Sequence, residues 1–278
     1  MKLIKPRFGL RSLLLLMTVI AVWIGIHSHN TAAQRKAVEA IHEYGGWVRY
    51  DYQFPSGSYN PTDFDGKAMP IVPAFLIQTF GIDFFQSVVQ VSCNYSEDSG
   101  TRLINLNHTD AALEHLPSLP NLRALLLSNL QGSDDGLAHV GKLTRLEHLY
   151  MWDVSEVSDV GVAHLANLRR LKCIHLSSSK ITDKSLKTFT SMPELEVLSL
   201  QFNTFSDAGV KQLTRLPRLK HLWVCGREES SNAITDDMLA EFERMQGLVA
   251  LGIQRTRVTP AAVAHFKQAV PACTVYYP

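Results

Sequence analysis

The chain has 278 residues, with 27 Lys plus Arg against 26 Asp plus Glu, 46% apolar residues and 19% charged. That apolar fraction supplies a core and excludes a disordered polyelectrolyte; a net charge of +1, with no basic run longer than Arg169-Arg170, argues against a nucleic-acid footprint, which needs clustered cations. Four cysteines, at 93, 173, 225 and 273, are too scattered for a disulfide framework and include no C-x-x-C pair for zinc or thiol exchange.

The N-terminus reads as an address. Residues 1–11 hold Lys2, Lys5, Arg7 and Arg11 and no acid, and an uncharged apolar run over residues 12–26 comes next, with Leu13, Leu14, Leu15, Leu16 and Trp23. A bilayer needs about 20 residues of helix, which the run reaches only with residues 8–10 included and Arg11 snorkelling to the headgroups. We read residues 1–11 as a cytoplasmic tail and 12–31 as a transmembrane signal-anchor. The cation excess keeps the tail inside and places everything downstream outside the cytoplasm. A cleaved signal peptide, with Ala32 and Ala33 as the small residues, is the alternative.

Residues 32–87 predict a helix-and-strand capping segment. Ala33, Ala37, Val38, Ala40, Ile41 and Tyr44 recur near helical spacing until Gly45-Gly46 stops the helix, and residues 47–52 alternate as a strand does. A Pro-, Gly- and Ser-rich loop over 55–73 leads to an apolar stretch, 74–85, expected to be a helix covering the segment after it. Asp63 and Asp65 before Gly66 resemble part of a calcium loop, but the other ligands and the closing Glu are absent.

From residue 88 onward a repeat takes over. Of 36 leucines, 29 lie after residue 100. The pattern L-x-x-L-x-L, with apolar substitutes, starts at Leu122, Leu146, Leu171, Leu195, Leu219 and Leu248; a degenerate copy has Ile104 and Leu106, and Val88, Val91 and Cys93 form an earlier one. Downstream of each strand comes a Ser/Thr-Asp pair: Thr109-Asp110, Ser133-Asp134, Ser158-Asp159, Thr182-Asp183, Ser206-Asp207 and Thr235-Asp236, with Thr259-Pro260 last. The hydroxyl suits a helix N-cap, and Asp in the first turn suits the positive end of the dipole. Pro fits the same place because the first helical position has no amide to satisfy. Each unit is then a strand, a turn, a helix of two to three turns and a return loop. One unit buries too little apolar surface to offset the entropy of ordering it, so units must stack.

These units resemble the leucine-rich-repeat family, in the subtype carrying L-x-x-L-x-L followed by Ser/Thr-Asp-x-Gly-Leu or a close variant, which Val160-Gly161-Val162 and Ala208-Gly209-Val210 match. The resemblance covers residues 88–278. Together with the anchor, the helix and Gly45-Gly46, it extends to membrane-anchored bacterial members. It implies an α/β solenoid, a curved parallel sheet with outer helices, that recognises other molecules, mostly proteins, without catalytic residues or cofactors. A substrate adaptor of ubiquitin ligases would need an F-box, which residues 32–90 do not show.

Alternation within each strand places a readable set of side chains on the concave face. The central column is Asn105, Leu126, Tyr150, His175, Ser199, Trp223 and Gly252; two residues on come Asn107, Ser128, Trp152, Ser177, Gln201, Cys225 and Gln254; two residues earlier come Leu103, Ala124, His148, Cys173, Val197, His221 and Ala250. We take His148, Tyr150, Trp152, His175, Gln201, His221 and Trp223 as the partner-binding patch, because exposed Trp and Tyr are enriched at interface hot spots. The alternative is that the rings lie flat to shield the sheet. His148, Cys173 and His175 suggest zinc by type, but no carboxylate joins them and flat strands do not give a tetrahedron. Ser177, Ser178 and Ser179 near His175 lack nucleophile-elbow glycines and an oxyanion hole. No G-x-G-x-x-G or Walker sequence occurs. The expected partner is a protein met at the membrane surface, with no nucleic acid, and a ligand-free envelope scaffold is the competing function.

Overall fold

The computed structural model describes residues 10–94, 109–128, 133–226 and 234–277. The tail before residue 10, the degenerate copy at Ile104 and Leu106 with its column residues Leu103, Asn105 and Asn107, and residues 227–233 lie outside the described residues, as does the side chain of Trp23.

Each apolar triplet forms a short strand with its leucines packed inward. β1 (Trp47–Tyr50), β2 (Val88–Asn94), β3 (Ala124–Ser128), β4 (His148–Trp152), β5 (Cys173–Leu176), β6 (Val197–Ser199), β7 (His221–Trp223), β8 (Ala250–Gly252) and β9 (Thr274–Tyr276) make one sheet in sequence order. All pairs are parallel except β1 with β2, which is antiparallel. Leu125, Leu149, Ile174, Leu198, Leu222, Leu251 and Val275 share one register row and are buried. β9 closes the far edge. β2 pairs directly with β3, Val91 beside Leu125 and Cys93 beside Leu127, and in the concave column Ser92 lies beside Leu126.

The convex side carries α3 (Thr109–Glu114), α4 (Asp134–Val140), α5 (Asp159–Ala163), α6 (Asp183–Phe189), α7 (Asp207–Val210), α8 (Asp236–Phe242) and α9 (Pro260–Ala269). Apolar pairs three residues apart are buried beneath these helices, such as Leu137 with Val140 and Leu186 with Phe189. α5 and α7 are shorter than the two to three turns expected, at five and four residues, and finish as 3-10 turns over His164–Asn167 and Lys211–Arg215.

Five of the expected N-caps form, the hydroxyls of Ser133, Ser158, Thr182, Ser206 and Thr259 accepting from amides of their own helices, whereas the Thr235 hydroxyl makes no cap bond to its helix and is taken up by Asp207. The aspartate does more than meet the dipole. Asp134 accepts the Ser158 amide at 2.8 Å and its hydroxyl at 2.5 Å, Asp159 accepts both from Thr182 at 2.8 and 2.7 Å, and Asp207 both from Thr235 at 2.9 and 2.6 Å. Asp110 with Ser133, Asp183 with Ser206 and Asp236 with Thr259 repeat the contact. One carboxylate per unit thus locks the next unit's cap. Gly136, Gly161 and Gly209 leave room for it: a β-carbon there would overlap the carboxylates of Asp110, Asp134 and Asp183. In α6 the same place holds Ser185, which donates to Asp159 instead.

The N-terminal cap begins with α1 (Leu10–Glu43), which runs without a break from the apolar run into the helical segment that follows it, where the sequence has no turn signal. It ends just before Gly45, which has φ 74°. Ala37, Val38 and Ile41 are buried against the first repeat, whereas Leu13, Leu16, Val19 and Ile20 are exposed. By length and composition α1 is long and apolar enough to cross a membrane. The helix expected over 74–85 divides at Gly81, φ 82°, into α2 (Ala74–Phe80) and a 3-10 turn over Ile82–Phe84. It does not cover the repeats: none of the α2 side chains is buried.

The carboxylate lock predicts unequal effects from two adjacent aspartates in one helical turn. Asp134→Ala orphans the Ser158 amide and hydroxyl and should destabilise the full chain by about 1–3 kcal/mol, whereas Asp135→Ala, which breaks no such lock, should stay within about 0.5 kcal/mol. Denaturant titration in detergent reads the difference; equal effects would refute the lock.

Candidate functional site

The concave face divides at β3. On the N-terminal side residues 59–64, part of the loop expected over 55–73, fold back across the first strands. Arg49 shares the concave face with its cross-strand partner Gln90, and its guanidinium lies 4.4 Å from the Trp47 ring centroid and 3.6 Å from that of Phe64. Phe54 is buried and packs on Tyr59 and Phe64, and Arg123 sits 5.5 Å from the Tyr59 ring. These cation–π and ring contacts hold the loop down without regular structure. Beneath it Gln90, Ser92 and Ala124 are fully buried and Leu126 nearly so. The Gln90 amide nitrogen and the Ser92 hydroxyl have no hydrogen-bond partner among the described residues. Ala124 and Leu126, expected on an open face, are therefore closed off.

From β4 onward the face is open, and parallel register brings the rings together. Tyr150 pairs with His175 and stacks on it at 4.9 Å; Trp152 stacks on Tyr150 at 5.3 Å; His148 lies parallel to Tyr150 at 6.4 Å. His175 faces Trp223 at 6.5 Å across Ser199, and His221 stacks on Trp223 at 5.7 Å. Small residues make the bridging possible: Ser199 is buried between the two rings' strands, and a β-carbon on Gly252 would overlap the Trp223 indole. The rings border a cleft of about 440 Å³, whose opposite wall is Asn60 and Thr62 of the covering loop.

The centre of the face is uncharged near neutral pH. Burial pushes His175 down to about 4 and lowers His148, whose neighbours Glu147 and Lys172 act in opposite senses. Burial also raises the Cys173 thiol to about 11 and raises Tyr150, with which it shares a hydrogen bond. Charge is confined to the rim, where Glu147 bridges Arg123 at 2.8 Å and Lys172 at 2.7 Å, and Glu196 meets Lys220 at 2.8 Å. Among the described residues no three His, Cys, Asp or Glu side chains are grouped to hold a metal. Ser179, in the serine run near His175, donates instead to the buried Asn203, whose amide caps three carbonyls of the strand ends.

Of the seven predicted residues, six form this one stack. Gln201 lies apart from the cleft, in an adjoining hollow of about 360 Å³ with Trp223, Phe202, Arg255 and Tyr276. Phe202 and Tyr276 are exposed aromatics that the column reading omitted. Phe202 has φ 62° and occupies the left-handed place held by Asp153, Ser178 and Arg255, so an apolar residue at a position polar in the other units was the available signal. Asn60 and Thr62 carried no signal, because a loop without period gives no face.

The repeat assignment is decided by the profile of a leucine-rich repeat region, which matches residues 82–272. The chain belongs to the leucine-rich-repeat family. It is similar in structure to an internalin of Listeria monocytogenes, with 18% identity over 59% of this chain and a TM-score of 0.46. The chain spans about half of that internalin, 49% of its length. Internalin C2 of the same organism is 17% identical over 61% of this chain and 84% of its own, at TM-score 0.42. A plant peptide hormone receptor in complex with RGF2 is 23% identical over 57% of this chain and 25% of its own, at TM-score 0.40. Among curated proteins none matches. Leucine-rich-repeat domains commonly mediate protein–protein recognition and are typically non-catalytic.

The His175 environment makes a pH prediction with a defined sign. Its folded value, about 4, lies below the unfolded value of about 6.5, so the stability it permits is complete above pH 6.5 and declines as pH falls toward 4. Between pH 7 and pH 5 the native chain should lose about 1–2 kcal/mol more than a His175→Gln variant, allowing for partial exposure. Parallel pH profiles of the two proteins would show that the imidazole is not held neutral.

Proposed function

We propose that this chain is a non-catalytic, membrane-anchored recognition protein that binds a protein segment along the open concave face of its solenoid. The observation that carries the reading is the stack of Tyr150, Trp152, His175, His221 and Trp223 beside a cleft walled by a loop of the same chain. Flat rings offer large contact area at low entropic cost, and the neutral His175 imidazole adds hydrogen-bonding atoms without a desolvated charge. His148, Gln201 and the rim pairs complete the patch. An apolar or aromatic partner segment with polar edges is the chemistry this surface fits.

Residues 12–31 of α1 cross the membrane in this reading, with the basic tail cytoplasmic and the repeats, residues 88–278, held outside by the capping segment, residues 32–87. The long, exposed and apolar first half of α1 supports it. Protease added to sealed right-side-out membranes should digest the repeats; their protection would reverse the orientation.

The mutual stacking of the rings also favours a second reading, a scaffold whose aromatics shield its own sheet. Trp152→Ala combined with Trp223→Ala separates the two. With a photo-crosslinker at Gln201 in the full membrane-bound chain, the double variant should keep a cooperative melt yet capture partner at least about tenfold less efficiently. Unchanged capture by the folded variant would leave the scaffold reading standing.

A further inference from the structure

A stretch of exposed apolar residues leads into the segment that is tied to α1 at Phe80 and Phe84. Between Lys67 and Asp83 the chain has no charged residue. Met69, Ile71, Phe75 and Phe80 in this stretch are exposed by 82%, 97%, 65% and 47%. Isolated exposed apolar residues need no explanation, but four large ones within twelve positions of an uncharged run do.

The C-terminal end of this stretch is fixed on α1. The Phe80 ring packs 5.4 Å from Phe84, and the Phe84 ring meets His27 edge-on at 4.6 Å. The Phe84 carbonyl oxygen is 2.6 Å from His27 Nε2. His27 adjoins Ile26, the last residue of the exposed apolar run. The aromatic cluster therefore sits at the level where the apolar half of α1 ends. The attachment is firm: Gln34 donates to the Asp83 carboxylate at 3.0 Å and the Gln86 carbonyl at 2.9 Å, Arg35 donates to the Phe80 carbonyl at 2.8 Å, and the Tyr50 hydroxyl donates to Asp83 at 3.0 Å. Asp83, the nearest acid on the C-terminal side, is thus engaged by two donors, while Arg35 and Lys67 flank the patch with exposed cations.

We propose that residues 68–82 form a second membrane contact, an interfacial foot that rests in the headgroup and upper acyl region of the bilayer beside α1. The inference rests on the reading of α1 as the anchor. Aromatic side chains favour the interface, exposed cations suit anionic headgroups, and a segment tied to a membrane-crossing helix meets the bilayer at high effective concentration. One helix alone leaves a domain free to swivel and tilt. Two contacts fix the height of the solenoid and the direction in which its concave face opens.

The test uses the full chain in vesicles of phosphatidylethanolamine and phosphatidylglycerol that contain lipid spin-labelled in the upper acyl chain. All four native cysteines are buried, so single introduced cysteines accept an environment-sensitive dye selectively. Ile71→Cys and Phe75→Cys report on the foot, Val19→Cys on the anchor and Val160→Cys on the exposed convex side. Dye at 71 and 75 should be quenched by lipid at least about twofold more than dye at 160. Water-like emission at 71 and 75 with quenching at 19 would overturn the foot and leave the anchor. Blue-shifted emission at 71 and 75 that lipid does not quench would overturn it too, and would assign the patch to a second copy or a protein partner. Absence of quenching at 19 would remove the anchoring reading itself, and the foot with it.

Discussion

The constraint on which the molecule depends is that no unit of about 24 residues is stable alone, so everything that sets the spacing between units sets the fold. Apolar wedges supply most of the attraction, but a wedge of leucines is tolerant of sliding. The carboxylate that reaches from one helix start to the next supplies the register: Asp134, Asp159 and their equivalents each bind both the amide and the hydroxyl of the following Ser or Thr. Two donors on one carboxylate define a position in a way that dispersion does not. The glycines after three of the caps belong to the same device, since a β-carbon at Gly136, Gly161 or Gly209 would overlap the locking carboxylate as it stands there.

A solenoid built this way has two exposed ends, and the two are treated differently. On the C-terminal side β9 pairs with β8, and α9 buries Val263 and Phe266. At the N-terminus one helix does two things: α1 packs Ala37, Val38 and Ile41 against the first repeat and carries a bare apolar half beyond it. Because the helix has no break between these halves, whatever surrounds the apolar half is coupled mechanically to the repeats. The antiparallel β1 covers the sheet edge that would otherwise offer unpaired amides.

The concave face gains its character from burial as much as from composition. Histidines on an open sheet would titrate near neutral pH, but stacking against Tyr150 and Trp223 withdraws His175 from water and keeps it neutral. The covering loop narrows the accessible surface to β4 and beyond and gives the resulting cleft a polar wall at Asn60 and Thr62. The open part of the sheet is thereby the part where the rings are.

The sequence by itself determined the repeat, its phase, the capped helix starts and six of the residues that meet on the concave face, because a strand alternates and a parallel register carries one unit's columns onto the next. Those are local rules applied many times, so errors in one copy are corrected by its siblings. The earlier copy at Val88, Val91 and Cys93 is a strand paired with β3. In the sequence the Ser/Thr-Asp pairs read as cap and dipole alone, because a contact between residues 23 to 28 positions apart is invisible until the stagger is known. Only the tertiary structure decided where residues 54–68 and 68–85 lie, one folded over the sheet and the other beside α1. Neither segment has a period, and a chain without a period takes its position from whichever distant surface it can bury.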